Sequence, residues 1–244
     1  GAELPQFEPA LKRRYAKAVW HTETGSVRDP GGLVQAYEAA AAERGATLVR
    51  ARARTIVQDG DGAKVLLEGG GEVSARTVVI AAGAAAHDLT RTMGYRLPLA
   101  AERGYHRHFA DAGEHKLSRP IHDTGGSYVV APMNAGLRLL SGVELARRDA
   151  PANLSQITAV ETDARQTVAM GESVEPAPWH GSRPSTPDGM PVIGRAPRHP
   201  HVVFAFGHGH IGLSTGPITG KLVSEIVTGS PTSVPVAPFS PTRF

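Results

Sequence analysis

The stretch Gly207-His208-Gly209-His210-Ile211-Gly212 follows an apolar segment, Val202-Val203-Phe204-Ala205-Phe206, and precedes an apolar-periodic one, Ile218 to Val227. That order predicts strand, glycine-rich turn and helix, and with Arg183 nearby it points to a cofactor and an anionic substrate. The turn spells G-x-G-x-x-G, the string of dinucleotide-binding folds, but such a fingerprint needs a second buried strand ending in an acid about 20 residues on. Glu225 falls near that distance inside the helical pattern, and Thr228 to Phe244 is proline-rich, unlike a buried parallel strand. The helix is therefore expected to close a fold instead of opening one.

A chain of 244 residues, 41% hydrophobic, buries a substantial core as one large domain or two small ones. With a net charge of +3 and arginines scattered among acids, it lacks the basic stripe of a nucleic-acid binder. It contains no cysteine, which excludes disulfides, thiolate metal sites and thiol nucleophiles within it. No segment approaches the ~18 consecutive apolar residues of a membrane span. A cytoplasmic location is expected, with peripheral contact to an inner membrane left open.

Asp29-Pro30 supplies a cap and a first-position proline, and Leu33, Val34, Tyr37, Ala40 and Ala41 then recur at helical spacing until Gly45. Thr47 to Val57 and Lys64 to Glu68 read as strands around the turn Asp59 to Gly62. Arg76 to Gly83 reads as a buried parallel strand ending in small residues, and Ala84 to Met93 as a helix. Arg103–Phe109, Ser127–Ala131 and Leu137–Gly142 have the alternation of an antiparallel sheet. Leu154 to Met170 reads as a helix, and Trp179 to Gly194 as a proline-interrupted connection.

Trp179 to Gly194, with its Gly181-Ser182-Arg183-Pro184, and Gly207 to Gly220 closely resemble the C-terminal signature of the FAD-dependent amine and amino-acid oxidoreductases, the family of D-amino-acid oxidase, glycine oxidase and sarcosine oxidase. Glu102-Arg103-Gly104-Tyr105-His106 looks most like its bacterial D-amino-acid dehydrogenase branch. The resemblance runs from about Gly25 to Gly229. It implies an α/β (α+β) architecture, with a discontinuous FAD-contacting domain over 1–99 and 184–244 and an antiparallel substrate domain over 100–183. Nothing before Asp29 offers the glycine fingerprint with which such proteins bind the FAD pyrophosphate. The chain is therefore expected to be the C-terminal part of a longer enzyme, with a non-catalytic remnant or one subunit that needs a partner for FAD binding as the alternative, and the isolated chain is not expected to retain FAD.

The resemblance further implies the site. Arg183 would bind the substrate carboxylate through its bidentate fork, and Tyr128 would donate a second hydrogen bond to it. His210 would face cofactor and substrate, as a polar wall more than as a base. His208, Gly209, His210, Ile211, Gly212, Leu213 and Ser214, with Gly181, would approach the flavin, while Ala53, Ala82 and Gly83 would meet the adenine, ribose and pyrophosphate. The implied reaction is oxidation of the CH–NH bond of a D-amino acid or small amino acid by hydride transfer to flavin, with oxygen or a quinone as final acceptor. Taken alone, Arg183 also suits a structural ion pair, Tyr128 a half-buried strand position, and the pairs His106/His108 and His208/His210 a histidine-liganded metal hydrolase.

Overall fold

The computed structural model describes all 244 residues. The chain divides into two compact units, one of Gly1–Ala46, Arg103–Glu144 and Asp149–Gly181, the other of Thr47–Glu102, Leu145–Arg148 and Ser182–Phe244. Mixed helices and sheets make this an α/β (α+β) protein, as expected.

In the first unit a short helix α1 (Leu4–Phe7) is followed by α2 (Pro30–Glu43). The Asp29 side chain accepts a hydrogen bond from the Gly32 amide, the cap that the sequence signals. None of α2's residues is buried, and Val34 and Tyr37 stand exposed.

An antiparallel sheet gives this unit its body. Its strands are β5 (Ala100–Asp111), β6 (Ile121–Asp123), β7 (Tyr128–Met133), β8 (Gly136–Leu145), β9 (Met170–Ser173) and β10 (Trp179–Ser185), preceded in the chain by four strands of the other unit. They are ordered β10-β5-β8-β7-β6, with β9 also paired to β5. Alternating residues of β8 are buried, so Leu137 and Leu139 pack inward while their neighbours do not. Helix α4 (Ser155–Thr167) turns Ile157, Ala164 and Thr167 inward, and a core forms with Tyr105, Phe109, Val130 and Val168. Each fully buried side chain of this kind contributes about 1.5–3 kcal/mol.

The grouping of residues 1–46 departs from the sequence expectation, which placed them with 184–244. Specific polar contacts hold them here. Lys12 N–H donates to the Thr167 carbonyl at 2.9 Å, and Asn134 N–H to that of Arg28 at 3.0 Å. The carboxylate of Glu8 receives the amide of Ser118, and Arg13 pairs with Asp123 and Asp163.

The second unit holds two three-stranded sheets. The meander β1 (Ala53–Asp59), β2 (Gly62–Leu67) and β3 (Glu72–Ala75) turns at Gly60, whose φ of +53° suits a left-handed position. Strand β1 begins six residues later than the sequence suggests, because pairing with β2 starts at Ala53 and Leu48 and Val49 lie exposed before it.

In the other sheet, ordered β11-β12-β4, the strand β12 (His199–Phe206) runs parallel to β4 (Val78–Ile80) and antiparallel to β11 (Val192–Ala196). The last five residues of β12 are all buried, which explains their uninterrupted apolar character. Helix α3 (Ala86–Thr92) follows β4, and α5 (Gly212–Thr228) follows β12. Ile56, Ile80, Met93, Val202, Phe204 and Phe206 close the core. No helix is long and apolar enough to cross a membrane.

Candidate active site

Two strand ends of the second unit meet at the glycine-rich turn. The predicted connection 179–194 is partly sheet: β10 runs through Pro184 to Ser185, and Ser185 bridges His208 in antiparallel register. The Gly209 amide donates to the Pro184 carbonyl at 2.9 Å. Proline lacks an amide hydrogen, but its carbonyl accepts, so Pro184 is compatible with this pairing. The two motifs separated in sequence are thus hydrogen-bonded to one another, with Arg183 directly before the paired residues.

Arg183 is half-buried, and its Nη1 is shielded from solvent with no hydrogen-bond partner. A buried guanidinium nitrogen left unpaired is costly, and a site that receives an anion removes the cost. Beside it, the Ser185 hydroxyl donates to Glu102 Oε2 at 2.7 Å, and His210 Nδ1 lies 3.5 Å from the same oxygen. Glu102 lies within a motif legible in the sequence, yet its part in the site was not foreseen, because Ser185 is 83 positions away.

His208 is fixed differently. Thr219 Oγ1 donates to the Thr215 carbonyl at 2.9 Å, so at 2.9 Å from His208 Nε2 it acts as acceptor of the imidazole N–H. Burial lowers the pKa of His208, consistent with a neutral ring held by one hydroxyl.

The turn then enters α5 at Gly212, six residues ahead of the sequence expectation, and Pro217 lies within the helix. Ile211 offers no side-chain cap, and the first turn carries no acid, so the helix presents its positive end unneutralised. A Cβ at Gly216 or Gly220 would meet nothing within 4 Å, leaving an open strip beside Gly212. Ile211 and Leu213 are exposed. The residues Ala53, Ala82 and Gly83 belong to the same unit; Gly83 has φ +52° and open space at its Cβ position. Glu225 sits inside α5 and accepts from the Ser233 amide at 2.9 Å, which commits the acid of the apparent fingerprint to a local turn.

The remaining predicted residues lie in the first unit. Gly181 is covered by the Trp179 ring, which a Cβ there would strike. Tyr128 is 1% exposed, and its hydroxyl is 2.6 Å from Thr167 Oγ1 and 3.2 Å from Asp123 Oδ2. The expected donation to a substrate carboxylate therefore meets a hydroxyl already engaged in a buried polar cluster.

His106 and His108 do share a face, with ring centroids 5.1 Å apart. Both nitrogens of His108 are taken, Nδ1 by Glu175 and Nε2 by Arg138 Nε at 3.1 Å, so neither is free to ligate a metal. On the other pair, the Nε2 of His208 is taken by Thr219.

Burial, with the charge of Arg138, lowers the His106 pKa from 6.5 to about 4. A histidine lowered on folding stabilises above its unfolded value, and that contribution is lost as pH falls from 6.5 through 4. The melting temperature is expected to drop by a few degrees between pH 7 and pH 5, and His106→Phe to flatten that part of the profile. Tryptophan emission measures this well, because Trp179 stacks on His106 at 4.7 Å; identical profiles for both proteins would contradict it.

Residues 1–226 match the family described as FAD dependent oxidoreductase. The chain belongs to this family. A D-amino-acid oxidase of Bradyrhizobium diazoefficiens is 38% identical over 246 residues, covering 99% of this chain and 58% of that protein. A glycine oxidase of Geobacillus kaustophilus is 30% identical over 247 residues, with 99% and 64% covered. A crystal structure of glycine oxidase from that organism superposes with a TM-score of 0.76 at 29% identity, covering 87% of this chain and 57% of the other. The chain thus spans about three-fifths of the length of these relatives. The family depends on FAD, and the second unit suits such a group: an uncapped helix start, an open glycine strip, and exposed apolar side chains at Ile211 and Leu213.

Proposed function

We propose that this chain carries the substrate clamp and the flavin-facing turn of an enzyme that oxidises the CH–NH bond of a D-amino acid, or of a small amino acid such as glycine, to the imino acid. The single observation that carries this reading is the shielded, partnerless Nη1 of Arg183 on a strand bridged to the 208–209 turn. The D-amino-acid and glycine oxidases among the relatives support the substrate class.

Bound FAD supplies a two-electron acceptor for the hydride of the α-carbon. Residues 208–214 and the first turn of α5 would hold its ring system, where free amides and the helix dipole favour negative charge. Ala53, Ala82 and Gly83 would meet its nucleotide end. Arg183 binds the carboxylate and thereby orients the α-carbon. His210, half exposed, forms a polar wall to the site.

The test is anaerobic mixing of the FAD-loaded enzyme that contains this chain with single amino acids, followed by flavin absorbance. Bleaching by D-amino acids or glycine but not by L-amino acids is the expected outcome. Absence of bleaching by any amino acid would overturn the reading.

A further inference from the structure

We propose that Glu102 is the acceptor for the substrate's ammonium group, so that Arg183 and Glu102 grip the two ends of a zwitterion. The inference rests on the reading of Arg183 as the carboxylate clamp and names the group that meets the other charge.

The strand supplies the arrangement. Arg183 and Ser185 are alternate residues of β10, so both side chains leave the same face, with Cα atoms about 7 Å apart. The Ser185 hydroxyl donates to Glu102 Oε2 at 2.7 Å, which holds the carboxylate against that face. On its other side the carboxylate meets His210 at 3.5 Å, on the turn that Pro184 and Ser185 bind. Ser185 and His210 leave Glu102 without a lysine or arginine partner. Meanwhile Arg183 Nη1 is buried without an acceptor.

Two opposite charges, one from β10 and one from β5, that do not pair with each other suit a ligand bearing both. An α-amino acid carries carboxylate and ammonium on one carbon, and two charge-assisted hydrogen bonds of about 2.8 Å reach outward from it. A carboxylic acid with no amine satisfies only Arg183. It leaves the Glu102 carboxylate facing a second anion, which disfavours it. Glu102 is thereby a specificity-determining residue, selecting amino acids over 2-hydroxy or unsubstituted acids. His210, next to the same oxygen, donates to the carboxylate when its Nδ1 carries hydrogen and holds it in place.

The experiment compares wild type, Glu102→Gln, Glu102→Asp and Arg183→Met in the FAD-loaded enzyme, using KM for the amino acid and Kd for benzoate read from the flavin spectrum. Glutamine keeps the shape of the side chain and an acceptor for Ser185, and aspartate keeps the charge. The expected result for Glu102→Gln is a KM raised about tenfold or more, since a charge-assisted bond becomes a neutral one, while benzoate binds as tightly as before or more tightly. Glu102→Asp is expected to recover part of the KM, and Arg183→Met to weaken both ligands. Equal weakening of both ligands by Glu102→Gln, or no change in KM, would overturn the role of Glu102. Benzoate binding undisturbed by Arg183→Met would overturn the underlying clamp instead, so the two failures are distinguishable.

Discussion

In the FAD-loaded enzyme, Arg183→Met is expected to lower kcat/KM for the amino acid about a hundredfold or more, or about 3 kcal/mol at 1.36 kcal/mol per tenfold. Methionine preserves the length and flexibility of the side chain but removes every donor. The effect is large because Nη1 is already stripped of water in the folded protein; the cost of desolvating the cation is met on folding, not on binding. Losing it removes an interaction with a prepared partner. Arg183→Lys retains the charge on a flexible stem but not the planar fork, and is expected to recover only part of the loss. Steady-state kinetics across substrate concentrations measure both. A kcat/KM within threefold of wild type for the methionine variant would refute the assignment.

Asp123→Ala is expected to destabilise the first unit by about 3–5 kcal/mol, the range for removing one partner of a buried charged network. The Asp123 side chain is 5% exposed and sits 3.1 Å from Arg13 Nη1. It accepts from the Tyr15 hydroxyl at 2.7 Å, the Gly126 amide at 2.8 Å and the Tyr128 hydroxyl at 3.2 Å. Burial pushes its pKa up, but the donors Tyr15, Gly126 and Tyr128 and the charge of Arg13 outweigh burial, so the net shift is downward. Alanine would leave all four groups facing a void. Asp123→Asn keeps the shape while losing the charge, and is expected to cost less. Urea unfolding monitored by near-ultraviolet circular dichroism, which senses Tyr15 and Tyr128, reads the difference. A loss below about 1 kcal/mol for the alanine variant would show that the cluster is not cooperative.

The parts of this fold that were legible in the sequence are those written in neighbouring residues. Asp29-Pro30 signals a helix start because cap and proline act within one turn, and α2 begins there. The run Val202 to Phe206 signals a strand buried on both faces, and β12 is central in its sheet. What was illegible depends on distant partners. Segment 179–194 reads as a broken connection because of its prolines, yet pairing at Ser185 with His208 and at Val192 with Phe206 makes strands of it. Residues 1–46 carry no periodic signal that assigns them to a unit; Glu8 and Arg13 do so through carboxylate and guanidinium contacts more than a hundred positions away. The strand at Tyr128 was readable from its β-favouring neighbours, but the engagement of its hydroxyl by Thr167 was not. The site followed the same rule: its arginine and its glycine turn stand in motifs, while Glu102 acquires its partners only when β10 arrives.

Strand β5 passes from one unit to the other between Glu102 and Arg103. Alternation sends these neighbours to opposite sides, Glu102 to Ser185 and His210, Arg103 to complete burial beside Glu144 and the Pro151 carbonyl. A slip of one position in one direction would set Arg103 in the place of Glu102 beside His210, and in the other would set Glu102 in the place of Arg103 beside Glu144. The charge order of one dipeptide thus acts as a registration mark for the strand, penalising a slip of one position in either direction.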